Sequence, residues 1–185
     1  RARGGVLVTL PAEVAEVLAG TRRYCVICAD NREVLPTLPA KSVAHVITDP
    51  PYEAEAHTGQ RRVGGGRAND PLNTALSFAP ISESERGSAA AQIGRLTARW
   101  AIAFCQVEAA MKWLDALVSA GMVARRVGVW VKPNGMPQFT GDRPAMGYES
   151  IAFAHAAGRS RWNGGGRTSV FVHNRGEGRG PNEHE

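Results

Sequence analysis

Apolar positions along the chain switch between a period near three and a half and a period of two, and the switches mark out elements. Leu10-Pro11-Ala12-Glu13 opens a helix through Leu18, with Pro11 tolerated in the first turn and Gly20 as the stop. Tyr24 to Ala29 reads as the first strand, and Asn31 to Leu35 as a short helix closed near Pro36. Pro39 to Ser42 turns the chain into a second strand built on Val43, Val46 and Ile47. From 53 to 92 no apolar period is visible, and a stretch of that length far exceeds an ordinary loop. Ile93, Leu96, Trp100, Val107, Met111, Leu114 and Val118 keep spacings of three and four, with Ala103 and Phe104 bridging one gap, so a long helix is predicted up to Gly121. Trp100, Phe104 and Trp113 are read there as packing residues. Strands follow over Met122–Val131, Glu149–His155 and Ser169–His173. A strand–helix–strand order of this kind predicts a parallel sheet with crossover connections.

Composition adds bounds. At 185 residues the prior is one domain, and 43% hydrophobic residues suffice for a core. No apolar run approaches the roughly 18 residues of a membrane span. The net charge of +5 is compatible with a polyanionic partner without requiring one. Cys25, Cys28 and Cys105 make no disulfide framework. The C-x-x-C spacing of Cys25 and Cys28 falls inside an apolar strand with no second pair behind it, which favours buried structural thiols in a reducing cytoplasm over a redox or zinc site.

The most informative stretch is Val46-Ile47-Thr48-Asp49-Pro50-Pro51-Tyr52. Each proline fixes its own φ, lacks an N–H and restricts the residue before it. The strand must therefore end in a stiff ledge, at the carboxyl end where open α/β sheets place ligands. Asp49 and the Pro50 carbonyl can both accept hydrogen bonds from an exocyclic amine, and Tyr52 offers a face on which a base can stack. The plainer reading is a proline-rich turn with Asp49 capping and Tyr52 half-buried.

Asp49-Pro50-Pro51-Tyr52 after an apolar strand resembles the catalytic signature of S-adenosylmethionine-dependent DNA amino-methyltransferases, which methylate adenine N6 or cytosine N4. The resemblance extends upstream to Cys28-Ala29-Asp30, Leu35 to Pro39 and Ser42-Val43, and downstream to Val129 to Asn134 and Tyr148 to Ile151. It implies an α/β, Rossmann-like methyltransferase sheet, largely parallel with helices on both faces and incomplete at the carboxyl terminus. Residues 1–22 become an amino-terminal extension, 23–175 a catalytic domain with 53–92 as an inserted loop, and 176–185 a flexible tail. The implied reaction is methyl transfer from S-adenosylmethionine to the amine of a base flipped out of double-stranded DNA. Asp49, Pro50, Pro51 and Tyr52 are the catalytic residues, and Asp30 and Asp49 face the cofactor. Adenine N6 is favoured over cytosine N4, because Asp leads the adenine signatures. The alternative from another class is a non-catalytic nucleic-acid-binding remnant. No metal is implied, and members of the subclass often form homodimers.

Several candidates carry two readings. Asp30 is a cofactor-facing carboxylate or a helix N-cap. Arg61, Arg62 and Arg67 lie along DNA phosphates or on a surface insertion. Lys132 meets a phosphate or solvent. Arg161 and Arg167 flank Trp162 in a basic, Gly-rich stretch that suits nucleic acid, or simply join two strands. The family's Gly-containing loop, typically within Asp-Pro-Phe-x-Gly-x-Gly, does not occur here. In the permuted subclass it follows the catalytic half, so the resemblance implies a sequence cut short at its carboxyl end. The chain as given is then expected to bind S-adenosylmethionine weakly and to show no methyl transfer, and a longer form to show it.

Overall fold

The computed structural model describes residues 9–53, 79–135, 137–138 and 141–174. Its elements are α1 (Ala12–Leu18), α2 (Asn31–Val34), a 3-10 turn (Leu35–Thr37), β1 (Val43–Thr48), α3 (Glu83–Leu96), β2 (Thr97–Cys105), a second 3-10 turn (Val107–Ala109), α4 (Ala110–Ser119), β3 (Met122–Val131), β4 (Tyr148–Ala156) and β5 (Val170–Val172). The five strands form one sheet in the order β1-β2-β4-β3-β5. The β1–β2 and β3–β5 pairs are parallel; β2–β4 and β4–β3 are antiparallel. An α/β fold was expected and is found, with a mixed sheet in place of a largely parallel one. The physical reason is that β4 pairs back along β3 with no crossover helix between them, which puts it between β2 and β3 and reverses its direction.

Three sequence expectations change. The long helix predicted across Ile93–Val118 is interrupted by a strand. In β2 the alternation is of size rather than polarity: Ala101, Ala103 and Cys105 are buried on one face, and Trp100, Ile102 and Phe104 point to the other. Because both faces are apolar, a polarity test sees no period of two. The helix before it starts at Glu83, inside the stretch read as loop through residue 92. Ser82 and Glu85 form a capping box, with the Ser82 hydroxyl accepting from the Glu85 N–H and the Glu85 carboxylate accepting from the Ser82 N–H. Finally, Tyr24–Ala29 joins no ladder; Tyr24 is 75% and Val26 89% exposed. A short apolar run becomes a strand only by pairing. For the same reason Cys28 is exposed and Cys25 only half-buried, so the expectation of buried thiols there fails, and Cys105 is the buried one.

The core lies between one sheet face and α3 and α4. Ala101, Ala103, Ala152 and Ala154 make a shallow sheet surface on which Ile93, Trp113, Leu114 and Leu117 pack. Small residues on the strands let the helices come close, and Trp113, 1% exposed, fills the space between. Helices on both faces were expected; α3 and α4 cover the same face, the one bearing these alanines. No described helix is long and apolar enough to cross a membrane.

The turn into β1 is tied to the end of α3. Lys41 has φ +58, rare for a residue with a Cβ. Its N–H donates to the Arg95 carbonyl at 3.0 Å, and its Nζ to the Gly94 and Thr97 carbonyls at 2.8 and 3.0 Å. A cation thus caps the last turn of α3, where free carbonyls collect negative potential. Arg95 reaches back to the Leu35 and Leu38 carbonyls at 2.6 and 2.7 Å. These bonds set where β1 begins, and so where Asp49 falls.

Gly94 lets α3 pass close to Ala120, the residue that caps α4. An added Cβ would lie 2.8 Å from the Ala120 Cβ and closer still to the Ala120 carbonyl oxygen, which is backbone and cannot give way. Gly94→Ala is therefore expected to lower stability by about 1–3 kcal/mol despite the better helix propensity of alanine, read as a fall in the urea midpoint. An unchanged or higher midpoint would show that the two helices do not meet there.

Candidate functional site

The ledge after β1 is held from two directions. The Tyr52 carbonyl accepts from the Ile81 N–H at 3.1 Å, so the chain returns to the ledge just before α3. One residue on, Glu53 forms an ion pair with Arg86 of α3 at 2.8 Å, both side chains only 8% exposed. Asp49-Pro50-Pro51-Tyr52 is thereby fixed between the end of a strand and the first turns of a helix. The prolines supply local stiffness; the ion pair supplies the tertiary anchor. Neither Glu53 nor Arg86 stood out in the sequence, because their partnership spans residues 53 and 86 with no local pattern.

At the same end of the sheet, Tyr148 and Glu149 begin β4 and Lys132 follows β3. Glu149 and Lys132 form a short, largely buried ion pair. The Lys132 ammonium also lies 4.8 Å from the Trp130 ring centroid. Lys132, a candidate for DNA phosphate, is thus committed to a carboxylate and an aromatic face within the fold.

Asp49 keeps contact with solvent along one side. Its carboxyl is nevertheless raised above the usual carboxylate value, first by partial burial and then by the Glu149 charge; a Tyr52 hydrogen bond and the Lys132 charge offset part of this. The Tyr52 phenol is pushed upward too, chiefly by burial and then by the nearby Glu149 and Asp49 charges, with a hydrogen bond to Glu149 contributing. The thiol of Cys105 is pushed up to about 12, mainly by burial and next by the Glu53 charge. It points at the Ser150 carbonyl, 3.7 Å away, and stays a protonated, inert thiol.

The other candidates are placed apart. Asp30 caps α2, accepting from the Arg32 N–H at 2.9 Å, and both its oxygens also take the Arg32 guanidinium. The Arg32 hydrogen bonds hold its carboxyl at about 2. Arg161 and Arg167 are exposed in the loop between β4 and β5; Arg161 belongs to the far end of β2, beside Trp100. Arg61, Arg62 and Arg67 lie outside the described residues. Among the described residues no group of three or more His, Cys, Asp and Glu is placed to hold a metal ion.

No protein-family model matches the chain, and no curated protein matches it. Similar solved structures exist. The M1.HpyAVI–SAM complex has 17% identity over 83% of this chain and 56% of its own length, at a TM-score of 0.45. TTHA0409 from Thermus thermophilus, provisionally assigned as a DNA modification methylase and complexed with S-adenosyl-L-methionine, has 17% identity over 72% of this chain and 54% of its own, at 0.48. Another M1.HpyAVI structure has 15% identity over 89% of this chain and 66% of its own, at 0.44. The chain thus spans between about half and two-thirds of those proteins. At these scores the likenesses carry no argument about its chemistry.

The Glu53–Arg86 pair gives a direct test of the anchor. Arg86→Met leaves a buried carboxylate without its partner and should cost about 3–5 kcal/mol in urea unfolding, whereas Glu53→Leu combined with Arg86→Met should recover most of that loss. A double variant no more stable than the single one would mean that the pair is not what fixes the ledge.

Proposed function

We propose that this chain carries the base-holding side of a DNA amino-methyltransferase, with adenine N6 as the acceptor and double-stranded DNA as the partner. The observation that carries the reading is that the end of β1, with Asp49 and Tyr52 after it, and the start of β4, with Glu149, lie at the same end of the sheet. The acid and the ring of the Asp-Pro-Pro-Tyr signature lie together, anchored from behind and open to solvent in front. A turn serving only to end a strand needs neither an accessible carboxylate of raised pKa nor a partly buried tyrosine beside acids.

S-adenosylmethionine is the implied methyl donor, and when bound it supplies the electrophilic methyl group. Of the two residues assigned to face it, Asp49 is accessible, whereas both Asp30 oxygens are taken by Arg32. The described residues therefore account for the amine side of the reaction. Asp49 and the Pro50 carbonyl accept the two amine hydrogens and turn the nitrogen lone pair outward. Tyr52, its hydroxyl tied to Glu149, gives the extruded base a surface to stack on. With the nitrogen held in line, the rate enhancement comes from positioning and from charge placed where it develops. The amine proton released on transfer passes to Asp49, whose affinity for a proton is already raised by partial burial.

The test is mass spectrometry of methylated nucleosides from DNA exposed to the protein in its full encoded form. N6-methyladenine is expected, and its loss in Asp49→Ala with DNA affinity largely kept. Near-normal turnover in that variant would remove Asp49 from the mechanism; N4-methylcytosine would move the acceptor to cytosine. DNA binding with no transfer at all would favour a binding remnant.

The pH dependence follows from the same site. Transfer needs ionised Asp49, so activity should fall as pH drops through a value above the ordinary ~3.9 of aspartate. Glu149→Gln removes a like charge and leaves Lys132 free to favour the ionised form, so the acid limb should move to lower pH in a variant that still folds. An acid limb that stays put or moves upward would separate Glu149 from Asp49.

A further inference from the structure

A second concavity lies on the sheet face away from α3 and α4. Trp100 pairs in register with His45 of β1 and His155 of β4, one residue out of phase with the core-facing row of Val46, Ala101 and Ala154. The chain after β4 folds over this spot and closes a groove of about 800 Å³, lined among others by His45, Arg99, Trp100, Arg159, Arg161 and Trp162. His45 and Asp49 are four extended residues apart, roughly 13 Å along β1, so the groove and the ledge are separate places.

Its chemistry is uniform. No Asp or Glu occurs from Ser150 to Asn174, from Gly87 to Val107 or from Pro39 to Thr48, the three stretches that build it. Elsewhere Arg22, Arg32, Arg86 and Arg143 are paired with carboxylates. Arg99, Arg159 and Arg161 stand in none of the ion pairs among the described residues. Among the described residues, three arginines line this groove and no carboxylate does. The tryptophans are fixed by their polar ends: Trp100 Nε1 donates to the Arg161 carbonyl at 2.7 Å and Trp162 Nε1 to the Gly165 carbonyl at 3.1 Å. With each N–H satisfied within the fold, what remains for a ligand is ring surface. The two rings meet edge to face at 5.7 Å between centroids, and His155, 4% exposed, braces Trp100 from the other side at 4.8 Å. Trp162 is left 49% exposed.

We propose that this groove binds a nucleotide unit of single-stranded nucleic acid, the base stacking on Trp162 and the phosphates meeting Arg99, Arg159 and Arg161. Stacking needs a base whose face is free, and guanidinium groups suit phosphate oxygens through paired N–H donors; the combination of aromatic platform and basic channel is what unpaired strands select. A duplex offers the phosphates but hides the base faces. The inference stands apart from methyl transfer, since it uses neither Asp49 nor Tyr52.

The experiment is a fluorescence-anisotropy titration of the full chain with a labelled short thymidylate oligonucleotide, with the matching duplex and adenosine monophosphate as competitors. The single strand is expected to bind better than the duplex, with an affinity that falls with salt at a log–log slope near −2 for three phosphate contacts. Arg159→Gln with Arg161→Gln should reduce that slope to about −0.7. Trp162→Ala should weaken binding about fivefold or more, and Trp162→Phe should restore most of it. Asp49→Ala, which should abolish transfer, should leave the affinity for the thymidylate strand and its salt slope as they are, which separates a failure here from a failure at the ledge. Displacement by the mononucleotide would place recognition in the nucleotide itself; displacement only by a strand would place it in successive phosphates. Either agrees with a nucleotide site. Duplex binding as tight as the single strand, indifference to Trp162→Ala, or no binding of the oligonucleotide would overturn it.

Discussion

The buried pair of Glu53 and Arg86 is the constraint on which the rest of the ledge depends. Two charges taken out of water at 8% exposure are tolerable only as partners, and their pairing welds the residue after Tyr52 to the first turns of α3. Because α3 runs directly into β2, and β2 lies beside β1, the pair closes a circuit: strand, ledge, helix, strand. The other end of α3 closes the same circuit: Lys41, in the turn into β1, donates to carbonyls at the end of α3, and Arg95 of α3 donates to the Leu35 and Leu38 carbonyls before that turn. β1 is thus held at its start by cations capping a helix and at its end by a buried salt bridge. The carboxylate between these two anchors has little freedom to choose its position.

That geometry explains which features were legible in the sequence. Local signals survived: Pro11 and Gly20 bracket α1, and Met122–Val131 is a strand over its whole predicted length; Pro36, expected to close the helix after Asp30, instead sits inside the 3-10 turn that extends it. The ledge was legible because prolines act on their own neighbours. What was hidden depends on distant residues. β2 looked helical because Ala101 and Ala103, chosen to let α3 and α4 approach, are as apolar as Trp100 and Phe104 on the reverse face; size, not polarity, carries its period. Tyr24–Ala29 looked like a strand because its residues favour one, yet no described strand lies beside it. The Ser82–Glu85 capping box was a local signal, and spacing alone could have found it.

Trp100 shows the same point from the side of function. At helical spacing it reads as one more packing residue, like Trp113. Once β2 is a strand, the two tryptophans part company: Trp113 is buried between the helices and Trp100 turns to the opposite face, toward a loop carrying Arg159, Arg161 and Trp162. Those loop residues had their own nucleic-acid reading, without a floor on which to act. The sheet supplies it.

Three acids within one short stretch of chain show how environment, not residue type, decides chemical role. Asp30 is exposed and saturated by its own neighbour Arg32, which holds it ionised down to about 2. Such a carboxylate caps a helix well and accepts little else. Glu53 is buried but fully answered by Arg86, so it anchors and does not react. Asp49 lies between these cases. Partial burial and the Glu149 charge raise its affinity for a proton, Tyr52 and Lys132 keep it from rising further, and one side remains open. A carboxylate that is neither quenched by a partner nor left to water is the one able to take a hydrogen bond from an incoming amine and then its proton. The fold makes Asp49 that carboxylate by where it ends β1.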